Sequence, residues 1–286
     1  MMKSVFLILV HANTSQLKRL IERLSVDDAK IYLQVDLKTD IALFEEYTNY
    51  PNVIFIKHRI KVAWGGYSQV QGMVNSFKEI IPSFEDGQYI SVISGQDYPI
   101  MRNEEMNNFL SLNQGKAFME YLLIPEEWPV GLKRLERYDL SDYHFPGFAT
   151  LEIKMNAWLP KRKPPKELVY VGKSSWFTIT IEHLKYIVAF LEKNHSIKKY
   201  FKLTWGSDEL VFQTILYNSK FRGQMVNNNL RYIDWSADKA RPKVLDITDA
   251  EKLKQSGKFF ARKFDEKVDS KILDWIDENL LTQKSI

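Results

Sequence analysis

Cysteine is missing from all 286 residues, which excludes disulfides, thiolate metal sites and cysteine nucleophiles together. A reducing cytoplasm is compatible with that composition. Long apolar runs are missing too: the one nearest the N-terminus spans only Val5 to Val10, far short of the roughly 20 residues a spanning helix needs. His11 and Asn13 follow at once with no small-residue cleavage site, so the run reads as a first strand and not as a signal peptide. There is no internal repeat, no low-complexity tract, and no P-loop, G-x-S-x-G or H-E-x-x-H motif. The five histidines, at 11, 58, 144, 183 and 195, never approach metal-ligand spacing.

Charge of one sign is not in large excess. Lys and Arg number 40 against 36 Asp and Glu, a net +4 that reads as spread along the chain and not gathered in an arm, so nucleic acid is a poor partner. What is present is globular: 45% hydrophobic and 27% charged residues, in a chain long enough for one large core or two modest ones.

The first half alternates strand and helix signals. Val5 to Val10 is a continuous apolar run; Gln16 to Leu24 has helical spacing through Leu17, Leu20, Ile21 and Leu24; Ile31 to Val35 is strand-like and ends at Asp36. A short helix over Ile41 to Tyr47, a strand over Val53 to Ile56, a helix over Tyr67 to Ile81 and a buried strand over Tyr89 to Ser94 continue the order. Such alternation predicts an α/β fold, a mainly parallel sheet with helices on both faces. After Gly115 come a strand in KAFMEYLLI and a short basic helix in PVGLKRLERYDL. The segment from Tyr143 to Pro165 reads as an irregular insertion or lid. Then LVYVGKSSWFTIT gives a strand, Ile181 to Glu192 and Ser207 to Tyr217 helices, LRYIDW a strand, and Asp269 to Leu281 a terminal helix.

Several residues could carry chemistry. ISGQDYPI brings a single acid, Asp97, to the end of a buried strand, where α/β proteins place their ligands. No D-x-D occurs anywhere, so a diphosphate held here needs a counter-charge other than a metal on paired aspartates. Asp97 either caps its own turn or touches a ligand. WGGYSQVQG is equally a tight turn into a helix or a place where backbone approaches a ligand. In GSDELVFQTIL, Ser207 suits an N-cap and Asp208 and Glu209 suit the helix dipole, while Glu209 could also take a proton from an attacking hydroxyl. Arg262 and Lys263 in KFFARKFD, with Arg241 upstream, are a solvated face unless a diphosphate lies nearby. Trp235, closing LRYIDW, suits a core or the face of a sugar.

Taken in order, VFLILVHAN, the strand ending at Asp36, VAWGGYSQVQGM, ISGQDYPI, VGKSSWFTIT, GSDELVFQTIL and FFARKFD resemble the core-2/I-branching β-1,6-N-acetylglucosaminyltransferase family, which is related to peptide O-xylosyltransferases. The likeness runs from Val5 to Asp265. It implies a GT-A-like glycosyltransferase fold over a single domain, 1–286, with a nucleotide-binding half at 1–114 and an acceptor-binding and catalytic half at 115–286. It implies an inverting, metal-independent enzyme with no cofactor, in which Glu209 is the general base and Arg241 and Lys263 hold the diphosphate of a UDP-sugar. Nucleotide contacts carry over to Val10, His11, Asp36 and Trp64, and sugar or acceptor contacts to Asp97, Glu120, Lys133 and Trp235. Gln34 stands where the family usually has the histidine of H-x-D, and Ser207 where it has proline. The absence of anchor and cysteines suits a bacterial, cytoplasmic member, peripheral at most to the inner face of the membrane. The expected transfer is of N-acetylglucosamine to a glycan, including a lipid-linked one, in polysaccharide assembly. The alternatives are a xylosyltransferase and a silent nucleotide-sugar or glycan-binding module.

Overall fold

The computed structural model describes residues 4–26, 28–236 and 241–282. Strand β1 (Val5–Val10) leads into helix α1 (Ser15–Leu24), whose first turn is closed by the Thr14 hydroxyl accepting from the Leu17 amide at 3.1 Å. There follow β2 (Lys30–Val35), a 3-10 helix over Ile41–Asn49, β3 (Val53–Phe55), α2 (Tyr67–Ile80), β4 (Tyr89–Ser94), the short β5 (Asp97–Pro99) and α3 (Asn103–Leu112). The second half runs β6 (Ala117–Leu123), α4 (Pro129–Glu136), α5 (Phe148–Trp158), β7 (Val171–Thr180), α6 (Ile181–Lys193), α7 (His195–Phe201), α8 (Val211–Tyr217) and β8 (Met225–Asn227). It closes with β9 (Arg231–Ile233), α9 (Ala250–Gln255), β10 (Phe260–Arg262) and α10 (Lys271–Ile276), which continues as a π-helical turn over Asp277–Leu281.

Seven strands form one sheet in the order β3-β2-β1-β4-β7-β6-β8. All point the same way except β7, which is antiparallel to both of its neighbours. The apolar runs of β1, β2 and β4 are continuous because both faces are covered. On one face α2, α6 and α8 meet β7 through Phe77, Phe177 and Phe212, whose ring centroids lie 5.4 to 6.4 Å apart. Each such aromatic pair adds about 0.5–1.5 kcal/mol beyond burial. On the other face, α1, α3 and α10 pack with a three-stranded sheet, β5-β10-β9. Buried Asp277 fastens the C-terminal turn there, accepting from Arg19, from Arg23 and from the Tyr98 hydroxyl at 2.9 Å.

Three expectations change. The segment 143–165 is not irregular throughout, since α5 occupies its middle. Its apolar residues are distributed around the helix without a single inward stripe, so periodicity could not reveal it. The helix docks by polar groups instead: Glu152 accepts from the Leu140 amide at 2.8 Å, and the Asn156 amide bonds both the Tyr138 N–H and its carbonyl. The helix expected over Ser207 to Tyr217 is broken into a 3-10 turn, Ser207–Glu209, and α8, with Leu210 between them at φ −123°. Ser207 caps nothing, because its buried hydroxyl has no partner; left-handed Gly206 opens the turn.

Candidate active site

The carboxyl ends of β2, β1 and β4 lie side by side, because the three are parallel neighbours in the sheet. Val10 is buried at the end of β1 and its carbonyl accepts from the Asp36 amide at 2.9 Å; His11 follows, exposed, with its carbonyl held by the Thr39 hydroxyl at 2.8 Å. The Asp36 carboxylate accepts from the Lys38 amide at 2.9 Å and the Val62 amide at 3.4 Å, so the β2 end and the Val62–Trp64 loop share one anchor. Arg59 fixes the same corner through the carbonyls of Val35, Asp36 and Thr39. Val10, His11, Asp36 and Trp64 are thus brought to one rim. Trp64 is 62% exposed there, far above a core tryptophan.

Lys263 reaches this rim from the small sheet. Arg262 pairs in register with Asp97, and the Phe264 amide donates to the Gln96 carbonyl at 3.0 Å, placing Lys263 beside the loop that leaves β4. Burial, then the nearby Arg241 and Arg262 charges, push the Lys263 ammonium below its usual pKa. Arg241 is exposed and its guanidinium carbon lies 5.8 Å from the centre of the Trp64 ring. Among the described residues neither Arg241 nor Lys263 is ion-paired, whereas Arg262 is taken up by Asp97 at 3.2 Å and by the Trp176 ring at 4.3 Å. Like charges crowded together, two of them unpaired among the described residues, form a place for an anion.

Glu209 approaches from the opposite side. The Gly206 amide donates to the Gly65 carbonyl at 2.7 Å, and the Trp64 and Trp205 rings meet edge to face at 5.4 Å, stitching the Glu209 turn to the nucleotide-side loop. Gly65 must be glycine twice over: its φ is +78°, and a Cβ would lie 2.4 Å from the Trp205 ring nitrogen. The Glu209 carboxylate is ion-paired with Arg134, whose guanidinium carbon sits between the rings of Trp128 and Trp205 at 4.8 and 4.4 Å. Burial, then the charge of Asp208, raise the Glu209 pKa, against the lowering effect of Arg134. Asp208 is itself buried and pushed up, accepting from the Ser175 hydroxyl at 2.5 Å and the Gln69 amide at 2.9 Å.

Arg134 was not legible in advance. The sequence pointed to its neighbour Lys133, which is exposed and only lines a cavity of about 310 Å³ shared with Arg134, Tyr138, Asp139, Glu152 and Trp205. Its signal was the helical spacing after Trp128, which turns position 134 inward. Asp97 does not present a free carboxylate: it is fully buried and accepts from the Ser94 amide and hydroxyl at 2.8 and 3.1 Å, besides pairing with Arg262. As placed it braces the loop after β4, as its turn-capping reading requires. Glu120 lies at a bulge in β6, where it accepts from the Asn229 amide at 2.9 Å, and that amide also donates to the Ser174 hydroxyl at 3.1 Å. Trp235 is exposed just beyond β9.

A family model described as Core-2/I-Branching enzyme matches residues 3–255. Among curated relatives, the chain is 24% identical to a xylosyltransferase of Ciona intestinalis over 96% of its own length and 34% of that protein. It is 26% identical to xylosyltransferase 2 of Rattus norvegicus, over 98% of its own length and 34% of that protein. The chain therefore spans about a third of the length of the curated relatives it matches. Among solved structures, mouse xyloside xylosyltransferase 1 superposes with a TM-score of 0.40 at 8% identity, covering 91% of this chain and 96% of that one.

Proposed function

The chain belongs to the core-2/I-branching enzyme family, a glycosyltransferase family related to xylosyltransferases, and on that premise we propose that it transfers a sugar from a UDP ester to a glycan hydroxyl with inversion. Supporting this is one juxtaposition: the Gly65–Gly206 bond holds the Glu209 turn against the loop that carries Trp64 and, stacked on it, Arg241. A base and an anion site therefore flank one rim.

In this reading the uridine lies over Val10, His11 and Asp36, with Trp64 closing one side. Arg241 and Lys263 bind the diphosphate without metal. Glu209 takes the proton of the acceptor hydroxyl as its oxygen attacks C1 from the face opposite the diphosphate; the C1–O bond to UDP breaks, and the electron pair leaves with UDP. The two cations stabilise the growing charge on that leaving group. Arg134 pairs with Glu209 and lines the 310 Å³ cavity, which would take the acceptor together with Lys133, Glu120 and Trp235. Residues 1–114 bind nucleotide and 115–286 bind acceptor and catalyse. The donor sugar is N-acetylglucosamine, and the acceptor a lipid-linked or other membrane-proximal glycan met in the cytoplasm during polysaccharide assembly. A second reading, UDP-xylose as donor, draws on the printed names of the matched relatives.

UDP release from a panel of UDP-sugars in the presence of glycan acceptors tests both. Turnover of UDP-N-acetylglucosamine, lost in Glu209→Gln, is expected. Turnover of UDP-xylose alone would move the donor to the second reading. Release from no donor, with UDP still bound, would leave a binding module.

A further inference from the structure

Helix α5 is built the wrong way round for a helix of a globular surface. The groups that tie it to the body are polar, Glu152 and Asn156, and none of its residues is buried. At 100° per residue the face opposite Glu152 and Asn156 carries Leu151, Lys154 and Trp158. Trp158 is 77% exposed and Leu151 43%, so these side chains are presented to solvent and not packed. Ile153 and Leu159 lie on the other side, lining a cavity with Asn156 and Tyr138. Single exposed apolar residues need no explanation, but Leu151 and Trp158, two turns apart on one face with Lys154 5.8 Å from the Trp158 ring centre, form an exposed patch of the kind that marks an interaction surface.

The chemistry around the patch identifies its partner. Between Phe145 and Glu167 the chain has five basic and two acidic residues, a net +3 out of +4 for the whole chain; the basic excess is gathered here after all. Lys154 lies on the apolar face itself, and Lys161, Lys163 and Lys166 follow in the proline-bearing turn. Lys163 and Lys166 are exposed and, among the described residues, have no ion-pair partner. Arg162 is the exception that fixes the turn. It is buried, donates to the carbonyls of Arg137, Leu203 and Tyr200 and the Thr204 hydroxyl, and stacks 4.1 Å from the Tyr200 ring centre. A rigidly held cationic turn beside the exposed Leu151 and Trp158 suits an anionic bilayer surface, with tryptophan at the headgroup level. Pairing two copies through this face would oppose lysines to lysines across the two-fold axis, which disfavours a dimer.

We propose that α5 and the 160–166 turn dock the protein onto anionic lipid. Glu152, on the opposite side of α5, lines the cavity next to Arg134, so docking holds the acceptor side close to the bilayer. That deepens the reading of a membrane-proximal acceptor, but the surface is testable without it.

Flotation of the full chain with phosphatidylcholine vesicles, with and without 30% phosphatidylglycerol, decides the matter. Binding is expected only with the anionic lipid and should weaken as salt rises. A lysine near such a surface contributes roughly fivefold to partitioning, so Lys163→Glu with Lys166→Glu should lower binding by at least about 25-fold. Leu151→Ser with Trp158→Ser should lower it comparably; both side chains are exposed, so circular dichroism and melting should match the parent. Absence of wild-type flotation at low salt overturns the proposal, as does undiminished flotation of either double variant. So does concentration-dependent dimerisation that the Leu151/Trp158 variant abolishes while lipid binding persists. UDP titration of the same preparations separates this outcome from failure of the transferase reading, which would show as loss of UDP binding with flotation intact.

Discussion

Glu209 stands between two opposing influences. Its partial burial and the adjacent buried Asp208 favour the protonated form, while Arg134, wedged between Trp128 and Trp205, favours the carboxylate. A general base works deprotonated, so activity should rise with pH through a midpoint above the usual glutamate range. Replacing Arg134 by Met removes the lowering charge, and the acidic limb of kcat/KM should move to higher pH. An unmoved limb would mean that Arg134 positions something other than the base. Glu209→Gln should lower kcat by roughly 10²-fold or more with UDP affinity retained; near-normal turnover would return Glu209 to a role in the turn alone. Across the rim, Arg241→Ala and Lys263→Ala should each weaken UDP more than uridine, because only UDP carries the charge they face. Hydrogen bonds to charged groups contribute about 1.5–3 kcal/mol, or roughly one to two decades of affinity. The double variant should be non-additive, as for groups sharing one partner. Calorimetry with both ligands checks it, and equal losses for uridine and UDP would make the two residues structural.

The placement of Glu209 depends on the strand beneath it. A Cβ at Gly172 in β7 would lie 2.2 Å from the Glu209 carbonyl and 3.1 Å from the Leu210 Cα, both backbone atoms that cannot rotate away. Gly172→Ala should therefore lift the 3-10 turn off β7. Overpacking of that kind costs about 1–3 kcal/mol, read as a lower urea midpoint, with kcat falling further than UDP affinity. Unchanged kcat would show that the turn tolerates displacement. Elements of this kind mark what could be read from sequence. The strands β1, β2 and β4 announced themselves because burial on both faces forces unbroken apolar runs, and α1 and α2 because one face of each is packed. Helix α5 gave no such signal, since it is held by two polar side chains. Nor did the role of Arg231, which crosses between sheets to the Val92 and Phe177 carbonyls at 3.1 and 3.0 Å, its pKa lowered to about 9 by complete burial. Such contacts join residues that are far apart in sequence. The rim residues Val10, His11, Asp36, Trp64, Arg241 and Lys263 could be named through family likeness, whereas Arg134, one helical position from Lys133, needed the direction of a helix face.

At the scale of the whole molecule, the question is how a chain of net +4 would balance the charge of the nucleoside diphosphate proposed as its ligand. Its sequence has no D-x-D, and two cations that lack ion-pair partners among the described residues arrive at the sheet's carboxyl end from separate elements, Lys263 after β10 and Arg241 from the loop that follows β9. A unit charge pair at 4 Å contributes about 4 kcal/mol at an effective dielectric near 20, so in the proposed site two of them would carry the same formal charge as one divalent ion. Because Arg241 is exposed, its share is open to screening, and UDP affinity should fall as salt rises past the ionic strength where the Debye length drops below about 8 Å. Donor turnover should then be indifferent to excess EDTA, and the Arg241→Ala, Lys263→Ala double variant should lose its turnover whether or not manganese is present. Wild-type activity that EDTA abolishes and manganese restores would place the diphosphate on a metal, and the two cations would need another ligand.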